Sequence, residues 1–118
     1  MKLIDALNWR YATKRMTGEK VPVQKLDTIL DATRLSASSM GLQPYTILVV
    51  ENEDVKKKLL PVAYNQPQIV EGSHLLVFAA WENVTEEHVN NYIRDIIETR
   101  GVAPETLDAF KASLISVS

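Results

Sequence analysis

The 118-residue sequence contains no cysteine. This excludes disulfides and thiolate metal sites, and it fits a reducing compartment. Charge of one sign is also missing: 13 basic residues against 15 acidic leave a net charge of -2. That field is too weak to make nucleic acid or an anionic membrane the main partner. The one basic run, Lys56-Lys57-Lys58, is preceded by Glu51, Glu53 and Asp54. The longest apolar run, Leu75 to Trp81, falls far short of the about 20 residues that a membrane helix needs. Asp5 comes too early for the apolar core of a signal peptide. There is no glycine-rich phosphate loop and no Gly-x-Ser-x-Gly elbow, and no His-Glu-x-x-His metal helix forms around Glu86-Glu87-His88. The absences together predict a soluble, cytoplasmic protein without a metal site.

With 46% hydrophobic residues, the chain is expected to form a single domain over residues 1–118, burying roughly two-thirds of its unfolded surface. Leu3, Ile4 and Leu7 share one face of a short first helix, and Gly18 marks a loop. A second helix is expected from Pro22, carrying Leu26, Ile29, Leu30 and Leu35 toward the core until Ser36 to Ser39 ends it. Tyr45 to Val50 reads as a buried strand, and His74 to Trp81 as a second. Between them, Asn52 is the expected N-cap of a helix through Leu60, with Lys56, Lys57 and Lys58 matching the dipole at its end. Asn83 and Glu86 suggest a capping box for a helix with the stripe Val89, Tyr92, Ile93, Ile96 and Ile97, closed by Arg100 and Gly101. A last helix from Pro104 carries Leu107, Ala109, Phe110 and Leu114 almost to the final residue. Two strands are too few for a sheet of ordinary size, so strands are expected to be missing.

The densest chemistry lies in Arg10-Tyr11-Ala12-Thr13-Lys14-Arg15-Met16 and in Ser36-Ala37-Ser38-Ser39-Met40-Gly41-Leu42-Gln43-Pro44-Tyr45. Arg10 offers a planar fork suited to a phosphate, and Lys14 a point charge on a flexible stem. On spacing alone, a cationic turn after a helix is ordinarily solvated surface, and serines with glycine ordinarily end a helix. The two segments together resemble the FMN-dependent nitroreductase family, in which an Arg-x-x-x-Lys segment and a Ser-Ser-x-x-x-Gln-Pro-aromatic segment grip one flavin.

The resemblance implies an α+β, nitroreductase-like fold: a central, mainly antiparallel sheet flanked by helices, with the C-terminal portion missing. It implies that Arg10, Tyr11, Ala12 and Lys14 contact FMN, with Ala12 in place of the usual hydroxyl residue. Ser36, Ala37, Ser38 and Ser39 would cover a ring face from the opposite subunit, Ala37 standing for the usual Pro, and Gly41, a further cofactor-binding residue, stands for a common Asn. Asn65 would donate to the O4 and N5 edge of the flavin, although beside Pro67 it also reads as an ordinary turn residue. Gln68 occupies a position that is often basic. His74 reads as structural, His88 as solvated, and Trp9 and Trp81 as core or interface anchors; no side chain is expected to be catalytic. For the intact protein the resemblance implies a homodimer in which NAD(P)H reduces FMN and a nitroaromatic, quinone or similar acceptor is reduced in turn. The chain reads as the front portion of such an enzyme. The alternative is a catalytically inactive fragment that persists as an associated helical module.

Overall fold

A computed structural model describes residues 2–116. Eight regular elements follow one another: α1 (Leu3–Trp9), α2 (Val23–Arg34), β1 (Tyr45–Val50), α3 (Glu53–Leu59), α4 (Gln68–Glu71), β2 (Leu75–Ala80), α5 (Glu86–Arg100) and α6 (Asp108–Ile115). Single 3-10 turns form at Ser39–Gly41, Pro61–Ala63 and Pro104–Leu107. β1 and β2 pair as one two-stranded sheet. Its antiparallel register shows just outside the strands, where the Trp81 N–H donates to the Pro44 carbonyl at 2.9 Å. No helix among the described residues is long and apolar enough to cross a membrane.

The residues divide into two compact units, Met1–Ile29 with Leu48–Val77 and Leu30–Ile47 with Phe78–Ser118. In the first, α3 starts where expected. The Asn52 side chain accepts from the Asp54 N–H at 2.9 Å and the Val55 N–H at 3.1 Å, satisfying two donors that the first turn leaves free. The buried residues of this unit are polar: Lys56 is 1% exposed and Ser73 9%. Lys56 is therefore not one of three equivalent surface lysines. The apolar face of α1 stays open, Leu3, Ile4 and Leu7 being more than half exposed and Trp9 76% exposed, so Trp9 is not a core residue. Along α2, Leu26 and Leu30 are half-buried, whereas Ile29 and Leu35 are exposed. β1 is likewise not a buried strand: its burial alternates and Leu48 is 49% exposed, as expected where a sheet has only two strands and both are edges.

The second unit contains the apolar core. Val89, Ile93 and Leu114 are its buried centre, with Val84, Tyr92, Ile97, Leu107 and Phe110 packed against it. This is the stripe of α5 at helical spacing, closed by one face of α6. The N-cap of α5 is Thr85, two residues later than the capping box expected at Asn83. Thr85 Oγ1 accepts from the His88 N–H at 3.3 Å, and the Thr85 N–H donates to His88 Nδ1 at 3.2 Å. His88 takes the role that Glu86 was expected to play, and it is half-buried with its ring centroid 4.2 Å from that of Trp81. At the other end Gly101 adopts φ 62° and its N–H donates to the Ile97 carbonyl, the left-handed cap that glycine adopts without Cβ strain.

Candidate functional site

Between α1 and α2, residues 10–22 form no regular structure, and residues 10–20 are exposed throughout. Four residues from elsewhere in the first unit hold this cationic loop. Gln68 Nε2 donates to the Thr13 carbonyl at 3.4 Å. Glu71 accepts from Arg15 Nε at 2.8 and 3.0 Å and from the Met16 N–H at 3.0 Å. The Val21 N–H donates to Ser73 Oγ at 2.7 Å, and Lys20 Nζ lies 3.3 Å from Glu53 Oε1. Sequence reasoning missed Glu71 and Ser73, because nothing local announces contacts with partners 56 and 52 positions away.

The loop borders a cavity of about 410 Å³ whose walls include Arg15, Thr17, Lys20, Lys25 and Glu71. Arg10 and Lys14 are exposed outside that lining. Arg10 follows α1 directly, its N–H bonded to the Ala6 carbonyl at 3.1 Å. Tyr11 is 78% exposed, and Ala12 belongs to the same exposed, irregular stretch. A neighbouring apolar cavity of about 370 Å³ is lined by Met16, Leu26, Ile69 and Leu75, with Gln68 in its wall. Gln68 Oε1 is buried and has no hydrogen-bond partner, alone in that respect among the described residues. An acceptor sealed from water without a donor costs about 1–3 kcal/mol, and a buried polar group of this kind calls for an explanation such as strain, a functional role or a bound water or ion. Asn65 is exposed at φ 53° beside Tyr64 at φ 56°. Its N–H closes the turn onto the Leu60 carbonyl at 3.0 Å.

The serine segment lies in the second unit and begins as a helix end. Ser36 Oγ donates to the Ala32 carbonyl at 3.0 Å, and Ala37 is exposed. Ser38 Oγ accepts from the Gln43 N–H at 2.9 Å, while Gln43 Nε2 returns to the Arg34 carbonyl at 2.7 Å. Ser39 starts the 3-10 turn that Gly41 completes at φ 73°. These bonds hold Gln43 at φ 48°, a left-handed conformation unfavourable for a side-chain-bearing residue unless its surroundings enforce it.

Glu71 carries the electrostatics of the loop. The Arg15 guanidinium first, and the Met16 N–H second, hold its carboxyl below its ordinary value of 4.5, and the same pairing raises Arg15. A carboxylate with a depressed folded pKa stabilises the loop above its unfolded pKa, and that contribution is lost as pH falls through the folded value. The Met16 amide resonance is therefore expected to titrate with a midpoint below 4.5; a midpoint at or above that value would mean that the clamp does not form.

Residues 7–109 match the family model described as the Nitroreductase family. The chain belongs to the nitroreductase family. A Staphylococcus haemolyticus family protein, provisionally named an NAD(P)H nitroreductase, is 43% identical over 98 residues, covering 80% of this chain and 45% of that relative. The fold is that of the family as well. A nitroreductase-like protein from Streptococcus mutans superposes with a TM-score of 0.79 over 98% of this chain and 58% of its own, at 17% identity. A provisionally named nitroreductase from Exiguobacterium sibiricum, solved in complex with FMN, gives 0.76 over 99% of this chain and 56% of its own, at 20% identity. The chain spans about half the length of the curated relatives it matches.

Proposed function

We propose that this chain, as a single domain, carries the flavin-gripping portion of a cytoplasmic, homodimeric FMN-dependent oxidoreductase. The observation that carries the reading is the cationic loop held beside a buried acceptor with no donor, Gln68 Oε1. The pyrimidine edge of the isoalloxazine presents an N–H, and that N–H would satisfy Gln68 Oε1 while Nε2 keeps its contact to the Thr13 carbonyl. When bound, FMN would supply the redox chemistry, taking hydride from NAD(P)H and reducing a nitroaromatic, quinone or similar acceptor in a ping-pong cycle. Arg10 would neutralise the phosphate through its fork, with Tyr11 and Ala12 lining the approach by their backbone. Lys14 would hold positive charge near N1 and the C2 carbonyl, where negative charge gathers on reduction. Asn65 would donate to the O4 and N5 edge. Ser36, Ala37, Ser38 and Ser39 would cover the ring from the partner subunit, with Gly41 a further cofactor-binding residue. No side chain acts as a general acid in this scheme.

The position of the apolar core favours a second reading. Val89, Ile93 and Leu114 belong to the unit of α5 and α6, which suits a catalytically inactive helical module. The test is a visible spectrum of the purified chain after FMN is added and the excess removed. Retained flavin bands support the first reading, and a colourless protein sinks it in favour of the second. Arg10→Ala is expected to weaken FMN binding by about 1–3 kcal/mol, since a charge-assisted bond is lost. Lys14→Ala should slow flavin reduction by NAD(P)H more than it weakens binding. Equal affinity and equal reduction rate in both variants would refute the assignments.

A further inference from the structure

We propose that Glu71 is a positioning residue for Lys14, an inference that rests on the flavin reading above. Lys14 sits in a loop without helix or strand hydrogen bonds, so its own backbone does not determine where its charge lies. The residues on either side are held. Thr13 is bonded through its carbonyl to Gln68 Nε2. Arg15 and Met16 are bonded to the two oxygens of one carboxylate, that of Glu71, through a guanidinium and a backbone N–H. Ser73 takes the Val21 N–H further along the same loop.

Gln68, Glu71 and Ser73 thus grip the loop from one short stretch of chain. The grip on Met16 and Arg15 is the strong one, because both bonds are short and charge-assisted, whereas the Gln68 contact is long. Glu71 is well shielded, with its side chain 21% exposed against 76% for Arg15, which makes it the fixed member of the pair. Displacing a catalytic charge by an ångström is enough to change its effect by orders of magnitude. Glu71 touches neither cofactor nor substrate in this role; it acts through where Lys14 stands.

The test measures the midpoint potential of FMN bound to the 118-residue chain for the wild type, Glu71→Ala, Lys14→Ala and the double variant, with tryptic cleavage after Lys14 and Arg15 followed in the absence of flavin. Glu71→Ala is expected to shift the potential to more negative values, as Lys14→Ala does, because the reduced ring loses its nearby positive charge. The double variant should show no further shift. Cleavage should accelerate about tenfold, since opening of the loop governs access. Glu71→Gln keeps an acceptor for the Met16 N–H and should restore part of both effects; it also guards against a misfolded alanine variant. An unshifted potential in Glu71→Ala, or additive shifts in the double variant, would overturn the positioning role. Unchanged cleavage would overturn the clamp itself. A wild-type chain that holds no FMN would sink the flavin reading and the positioning role with it, an outcome the binding step reveals before any variant is compared.

Discussion

Lys56→Ala should destabilise the chain by about 3–5 kcal/mol, far more than a lysine substitution normally does, because Lys56 is a buried tie rather than a surface charge. Its side chain is 1% exposed. Nζ donates to the Gly72 carbonyl at 2.7 Å and the Val70 carbonyl at 3.4 Å, and it lies 2.9 Å from Glu53 Oε1. The carbonyls belong to the C-terminal end of α4, where the last turn has no intrahelical donors to offer and the dipole favours a cation. The ion pair itself is the smaller part. Glu53 is 54% exposed, so water screens the attraction, although Lys56 first and Lys20 second still hold the Glu53 carboxyl below its ordinary range. Burial of the four-carbon stem and the two carbonyls left without a donor make up most of the loss. Lys56→Met, which keeps the stem and drops the donors, should recover about half of it. Lys57→Ala, at a side chain 68% exposed, should stay within about 0.5 kcal/mol of wild type. Urea denaturation of the three variants checks the order; equal midpoints for Lys56→Ala and Lys57→Ala would refute it.

Gly41→Ala comes next, with an expected loss of about 2–4 kcal/mol. Gly41 sits at φ 73° next to Met40 at φ 53°, so alanine meets the left-handed region with a Cβ. That Cβ would also collide with the hydroxyl of Tyr92. The same hydroxyl donates to the Met40 carbonyl at 3.0 Å and so helps hold Met40 in its unfavourable conformation. One added carbon therefore introduces backbone strain and removes the bond that balances the strain next door. The ring carbon behind the hydroxyl would lie 3.5 Å from the new Cβ, an ordinary contact, so removing the hydroxyl removes the collision. The double variant Gly41→Ala/Tyr92→Phe should consequently lose less than the sum of the two single variants. Strict additivity in thermal denaturation would refute this account. Gly41→Ala should also disturb the turn that presents Ser38 and Ser39.

How far the sequence could be read depended on how local the deciding interaction was. Tyr45 to Val50 was legible as a strand to the residue, because β-branched and aromatic side chains after Gln43-Pro44 leave the backbone little else to do. Asn52 as the cap of α3, Gly101 as the end of α5 and the α5 stripe were legible for the same reason: each is settled within a few residues. The cationic loop with its Arg10 and Lys14, and the serine turn, could be singled out as a candidate site because each is a contiguous string. The cap of α5 was misplaced by two residues, since Asn83 and Thr85 offer equivalent oxygens and the His88 ring, held against Trp81, decides between them.

The tertiary structure alone chose Lys56 from three adjacent lysines, joined Arg15 to Glu71 and Val21 to Ser73, and left Gln68 with a buried oxygen that has no donor. It alone left Leu3, Ile4 and Leu48 exposed where an apolar pattern promised a core. A periodic pattern states which face of an element would gain from burial. Whether another element arrives to cover that face, and which polar group is trapped beneath it, depends on contacts between residues tens of positions apart, whose energies no stretch of sequence contains.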